Sequence, residues 1–214
     1  MNSTPKFNAP MQLTAQAIAA SRVAGASNAG PNGARGAGAA RWLPAERLGQ
    51  LEVDSRVRPW LIGKGLIARR MQDACGERYD SRLIDQRTGL LSSEIRRCLA
   101  VGDAAALFRE VELCCADQVW VFCQSVIPDS TLCVHPWLGE LGDASLGEML
   151  SALSGVERSS HEYAWLPADD ALSARALRAA EVAPQGLWAR RARILLRGSP
   201  LLAQELFLPA VGRT

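Results

Sequence analysis

Two charged residues stand where half-buried strands should carry apolar ones, and they are the residues best suited to chemistry in this sequence. In Leu201-Leu202-Ala203-Gln204-Glu205-Leu206-Phe207 the two-residue period of a strand puts Leu201, Ala203, Glu205 and Phe207 on one face. A Gly198-Ser199 loop of type II′ would then set Ala192 opposite Glu205, leaving a carboxylate in an apolar slot beside a small residue. Such a carboxyl suits acid–base work or binding of a substrate hydroxyl; the alternative is a simple ion pair with Arg190. The second residue is Arg109, which shares a strand face with Val111 and Leu113. An inward guanidinium calls for a carboxylate, either that of Glu205 or another acid of the chain, or that of an anionic ligand held bidentately. Together the pair suits a compact acid that also carries a hydroxyl.

Other chemistries read poorly. Gly63-Lys64-Gly65-Leu66-Ile67-Ala68, with Asp85 further on, imitates a dinucleotide fingerprint, but no strand precedes it and no βαβ unit follows. No G-x-S-x-G elbow supports a Ser-His-Asp hydrolase. The histidines are two, His135 and His161, and Cys133-x-His135 alone has ligand-like spacing, so no metal site is expected. The arginine pairs Arg69-Arg70, Arg96-Arg97 and Arg190-Arg191 alternate with acids and lack stacking aromatics. They read as solvated faces, and no nucleic-acid partner is expected.

The elements that must position Glu205 and Arg109 follow from periodicity. Pro44 and Glu46 open a short helical segment, and a longer helix is expected from Arg58 to Ala74, stopped by Gly76. Strand signals run over Arg78–Gln86, then Leu107–Cys115, an Ala116-Asp117 turn and Val119–Ile127, with Pro128 closing the hairpin. Ser145-Leu146-Gly147-Glu148 has the form of a capping box, opening a short helix that ends at Gly155. A strand over Val156–Trp165, an Ala-rich helix over Asp170–Val182 and the hairpin Gly186–Arg197 with Pro200–Leu208 complete the order. Helices first, then antiparallel hairpins with helices between them, make an α+β class: one domain with a sheet of about six antiparallel strands covered by helices.

The chain has 214 residues, 48% hydrophobic and 21% charged, with a formal net charge of +2, the composition of a globular protein without a chain-wide field. No acid precedes Glu46, and residues 23–40 hold seven Ala and five Gly. Residues 1–41 therefore read as a flexible tail and 42–214 as the domain; low complexity accounts for the tail better than an organellar transit peptide does. Without the four bases of that tail, 20 bases face 22 acids, so an anion must be captured by placed arginines and backbone dipoles. No stretch has the apolar length of a signal core or a membrane span. Cys75, Cys98, Cys114, Cys115, Cys123 and Cys133 show no paired framework and no C-x-x-C, which favours reduced thiols and a cytoplasmic location. A monomer is expected.

The segment Gly186-Leu187-Trp188-Ala189-Arg190-Arg191-Ala192-Arg193, followed by Gly198-Ser199-Pro200-Leu201-Leu202 and Glu205-Leu206-Phe207-Leu208-Pro209-Ala210, resembles the C-terminal signature of bacterial chorismate pyruvate-lyases. Arg109-Glu110-Val111 with Leu113-Cys114, Ile127-Pro128 with Ser130-Thr131-Leu132, and Leu141-Gly142 followed by Leu146-Gly147 extend the likeness over about residues 42–210. The resemblance implies a cofactor-free lyase that converts chorismate to 4-hydroxybenzoate and pyruvate for the ubiquinone ring, with its ligand enclosed under helical flaps. It further implies that Arg109 binds the ring carboxylate, that Glu205 binds the 4-hydroxyl and assists proton movement, and that the backbone at Leu146 and Ile67 completes the carboxylate pocket. The first flap departs from the family's Gly-Ser-Leu-Thr type of segment, having Gly65-Leu66-Ile67-Ala68 without either hydroxyl. Certain regulator ligand-binding domains are similar in fold, so a non-catalytic sensor of small aromatic acids is the alternative; no helix-turn-helix segment supports it.

Overall fold

The computed structural model describes residues 41–213, so the expected tail lies outside the described residues apart from Arg41. Eight strands form one antiparallel sheet: β1 (Leu43–Pro44), β2 (Tyr79–Leu90), β3 (Ala105–Cys115), β4 (Gln118–Pro128), β5 (Val156–Arg158), β6 (Glu162–Leu166), β7 (Leu187–Leu196) and β8 (Ser199–Phe207). Their order across the sheet is β1-β6-β7-β8-β4-β3-β2, with β5 also paired to β7. The class is α+β, with eight strands where about six are expected. The two-residue β1 was too short for any period to reveal, and the expected strand over Val156–Trp165 is two, β5 and β6, parted at Ser159-Ser160-His161.

The six helices are α1 (Arg58–Ile62), α2 (Ile67–Cys75), α3 (Ser93–Leu99), α4 (Asp129–Val134), α5 (Leu146–Ser151) and α6 (Ala171–Ala179). The single helix expected from Arg58 to Ala74 is broken into α1 and α2 by Gly63-Lys64-Gly65. There Gly65 takes φ +88°, open to glycine without strain, and a Cβ on Gly63 would lie 2.2 Å from the Arg70 guanidinium that crosses it. The glycines of the imitation fingerprint are therefore a helix joint. The serine half of the expected capping box is present, Ser145 Oγ accepting from the Glu148 N–H at 3.4 Å, while the Glu148 carboxylate accepts from Gln72. Asp170 caps α6 by accepting from the Leu172 and Ser173 N–H groups at 2.9 and 3.2 Å, and Glu181, at φ 55°, lies beyond the end of that helix.

Alternation along the strands divides the sheet into two covered faces. On the inner face Val111, Leu113, Val121, Trp188 and Phe207 pack with Leu61, Met71 and Ile67, while Leu107, Ile127, Ile194 and Leu201 pack with Leu138, Leu146 and Leu150. The outer face divides in the same way: Phe122, Ala189 and Leu206 meet α6, and Phe108, Val126 and Leu202 meet Leu99 of α3. Between the apolar patches each face carries a polar band, Cys123, Glu205 and Arg190 with Arg109 two residues along inside, Glu110, Gln124, Gln204 and Arg191 outside. Two of the arginines read as solvated are thus core residues, Arg190 at 1% and Arg191 at 7% exposure.

The expectation of unpaired cysteines is corrected as well. Cys75, at the end of α2, is bonded to Cys115, at the end of β3, with Cα atoms 5.6 Å apart across 40 residues of sequence. Only the packing of α2 over the sheet brings them together, so spacing along the chain carries no sign of the bond. Two predictions follow from these contacts. Thiol labelling of the denatured chain should modify four cysteines without reductant and six with it, and reduction should lower stability by about 2–4 kcal/mol. A Cβ on Gly186 would come within 2.3 Å of the Trp165 indole, which stands edge-on to Trp188 with ring centroids 5.3 Å apart. Gly186→Ala should therefore cost about 1–3 kcal/mol, read as a lowered denaturant midpoint with unchanged slope.

Candidate active site

The inner polar band is the floor of a cavity. Arg109, Cys123, Ser125, Ala203 and Glu205 form the floor; Gly65–Ala68 at the start of α2 and Ser145–Gly147 at the start of α5 form the roof. The roof halves adjoin, so that a Cβ added to Gly147 would lie 3.3 Å from Leu66, and Gln72 Nε2 donates to Glu148 Oε1 at 3.4 Å. Arg109 pairs across β3 and β4 with Ser125, whereas Glu205 pairs across β8 and β4 with Cys123. Two strand spacings and a two-residue offset put their Cα atoms roughly 12 Å apart.

Arg109 is 2% exposed and makes no ion pair among the described residues, the carboxylate of Asp143 acting on it only from a distance. Its Nη2 donates to the carbonyls of Gly142 and Ala144 at 2.5 and 2.6 Å, and its buried Nε has no partner among the described residues. Burial depresses the guanidinium's pKa from its ordinary value, so an anion arriving there gains from a poorly hydrated cation. The N–H groups of Ile67 and Leu146, first residues of α2 and α5, have no partner within their helices, and both residues line the cavity.

At the Glu205 end the expected apolar slot is absent. The β7–β8 loop is Arg197-Gly198, with φ of 50° and 85° as in a type I′ turn, and not Gly198-Ser199. Moving the loop by one residue moves every cross-strand partner by two, so Arg190, and not Ala192, stands opposite Glu205. Arg190 Nε donates to Glu205 Oε2, and Nη1 donates to the carbonyls of Trp60, Leu61 and Gly63 at 3.2, 3.1 and 2.8 Å. One buried guanidinium thereby holds the carboxylate and the α1–α2 joint together. Beside it, burial and then Arg190 depress the His161 pKa to about 4, so the imidazole is neutral near neutral pH. Burial, with Glu205 next, raises the pKa of the Cys123 thiol, which stays protonated.

All four residues singled out from sequence, Arg109, Glu205, Leu146 and Ile67, line this one cavity. Arg109 and Glu205 are not paired with each other, so Glu205 is not the carboxylate that the inward guanidinium calls for. Sequence reasoning missed Cys123 and Arg158, also in the lining, and Arg190 entered only as an alternative partner for Glu205. Cys123 had a signal, its position in phase with Val121 and Ser125 on the inner face. Arg158 had none, because three residues of strand establish no period.

Comparison with known proteins agrees with this arrangement. A family model for chorismate lyase matches residues 37–212. A probable chorismate pyruvate-lyase of Nitrosospira multiformis is 31% identical over 79% of this chain and 93% of its own length. Those of Azoarcus sp. and Thiobacillus denitrificans are each 34% identical, over 74% and 79% of this chain and 87% and 89% of their own lengths. Among solved structures, the effector domain of PhnF from Mycobacterium smegmatis shares the fold, with a TM-score of 0.50 and 15% identity over 69% of this chain and 91% of that one. With the family model spanning nearly every described residue, and relatives above 30% identical over most of their own lengths, the chain belongs to the chorismate lyase family.

Proposed function

We propose that the protein eliminates pyruvate from chorismate to yield 4-hydroxybenzoate, the aromatic acid from which the ubiquinone ring is made. The observation that carries this reading is a single roofed cavity with an uncompensated guanidinium towards one end and a carboxylate towards the other. The ring carboxylate of chorismate lies against Arg109 and the free N–H groups of Ile67 and Leu146. The ring hydroxyl, para to it, donates to Glu205.

The chemistry asks little of the protein beyond orientation. The ether bond to the ring carbon next to the hydroxyl-bearing carbon breaks, its electron pair leaving with enolpyruvate, and the hydroxyl-bearing carbon loses its proton. The two ring carbons become part of an aromatic ring, which supplies most of the driving force. No electrons are gained or lost overall, so the step needs no redox partner. Glu205, held as the counter-ion of Arg190, receives the ring proton, and the departing enolate takes a proton from solvent to become pyruvate. The roof made by α2 and α5 excludes bulk water, which strengthens the contact between Arg109 and the carboxylate.

Incubating the protein with chorismate and following pyruvate and 4-hydroxybenzoate tests the reading; tight 4-hydroxybenzoate binding without turnover would identify a sensor instead. Glu205→Gln should lower kcat by about a hundredfold or more, the usual weight of a positioned proton acceptor. It should also cost about 1–3 kcal/mol of stability, because the buried Arg190 then faces a neutral amide. Arg109→Ala should weaken 4-hydroxybenzoate binding by about 1.5–3 kcal/mol, measurable by calorimetry; unchanged affinity would remove Arg109 from the carboxylate site.

A further inference from the structure

Two cations line the cavity, and the proposed chemistry gives a role to only one of them. The other, Arg158, is the last residue of β5. It pairs with Ile194, and cross-strand partners share a face, so Val156 and Arg158 lie on the inner face with Leu196 and Ile194. Val156 packs into the apolar cluster there, whereas Arg158 borders the cavity and remains exposed to solvent. In the sheet, β5 lies on the far side of β7 from β8, β4 and β3, so Arg158 stands on the Glu205 side of the cavity, across it from Arg109.

The guanidinium groups in and around the cavity differ in what they already hold, Arg70 being committed to the carbonyls of Pro59 and Trp60. Arg190 is committed to Glu205 and to three backbone carbonyls. Arg109 is steadied by two carbonyls and faces the opposite end. Arg158 makes no side-chain hydrogen bond or ion pair among the described residues. A cation bordering a cavity with its donors uncommitted is matched by an anionic group of the ligand.

Resting on the chorismate reading above, we propose that Arg158 is the residue that binds the second carboxylate of the substrate, the one on the enolpyruvyl side chain, and so distinguishes the dicarboxylate substrate from the monocarboxylate product. The connectivity of chorismate supports the assignment. The enolpyruvyl ether is carried by the ring carbon adjacent to the hydroxyl-bearing one, so with the hydroxyl at Glu205 the side-chain carboxylate falls at the Glu205 end, where Arg158 stands. The partly exposed position suits a group that must leave first, since pyruvate departs from the solvent side while the aromatic acid is still roofed. Arg158 thus adds to substrate capture and nothing to product retention.

The test uses the full chain and its Arg158→Ala and Arg158→Lys variants. In Arg158→Ala the KM for chorismate should rise about tenfold, the reach of a partly screened charge contact, with kcat changed less than threefold. The inhibition constant of 4-hydroxybenzoate should stay within twofold, and Arg158→Lys should recover part of the loss. Equal weakening of both ligands would make Arg158 a general electrostatic or structural residue and overturn the proposal, as would no change in either. Calorimetric titration of chorismate into Glu205→Gln and into Glu205→Gln/Arg158→Ala reads the contact without turnover. About tenfold weaker binding in the double variant supports it, and equal binding, or none in both, overturns it. Turnover by the unaltered chain separately decides the chorismate reading, so a failure of one is distinguishable from a failure of the other.

Discussion

The buried guanidinium of Arg190 is the constraint on which the site depends. A cation at 1% exposure is tolerated only where its donors are met, and here they are met by a carboxylate and three main-chain carbonyls. The carbonyls belong to α1 and the joint that follows it, so the same group that orients Glu205 also anchors the segment leading into the roof helix α2. Arg70 reinforces the joint, stacking over Trp60 at 5.0 Å and donating to the carbonyls of Pro59 and Trp60. Floor and roof are in this way referred to one point, which a set of independent loops could not achieve with comparable precision.

The outer face shows how a sheet can carry a polar band through its centre without losing cohesion. Glu110, at 1% exposure, accepts from Arg175 of α6, from Arg87 and from Gln124, and Gln204 continues the chain by donating to Gln124 at 2.9 Å. Arg191 closes the band, reaching Glu94 of α3 and Glu162 of β6 at 2.5 and 2.7 Å and lying 4.3 Å over the Trp42 ring. Because each charge is answered, the band fixes register and helix placement directly behind the cavity. The inner band differs in one respect: it leaves Arg109 Nε unanswered, at the place where a ligand is proposed to bind.

Capture of an anion by this chain owes little to overall charge. In the proposed reaction the field comes from Arg109, from the free N–H groups where α2 and α5 begin and, at the opposite end, from Arg158. Both roof helices start over the cavity for local reasons, Gly65 turning the chain into α2 and the Ser145 box opening α5. The loss of two hydroxyls in the first flap, at Leu66 and Ala68, leaves the backbone contribution of Ile67 available, since an N–H group does not depend on the side chains around it.

Much of this architecture was legible in the residues. Two-residue alternation located β3, β4, β7 and β8; Ser145 and Asp170 marked helix starts; and the inward positions of Arg109 and Glu205 pointed to the cavity they line. Such features are local, fixed by the steric period of the backbone and by side chains bonding to nearby amides. What tertiary structure alone decided depends on contacts between distant segments or on single-residue choices of turn. The Cys75–Cys115 bond arises because α2 crosses to the end of β3. Arg158 joins the cavity because β5 pairs with β7. Arg190 faces Glu205 because the last hairpin turns at Arg197-Gly198, where two consecutive positive φ angles match the twist of the strands. A one-residue difference in that turn exchanges a small neutral neighbour for a buried cation, and the alternation of the flanking strands is the same in either case. Only the packed sheet, in which Arg190 finds the carbonyls of α1, distinguishes them.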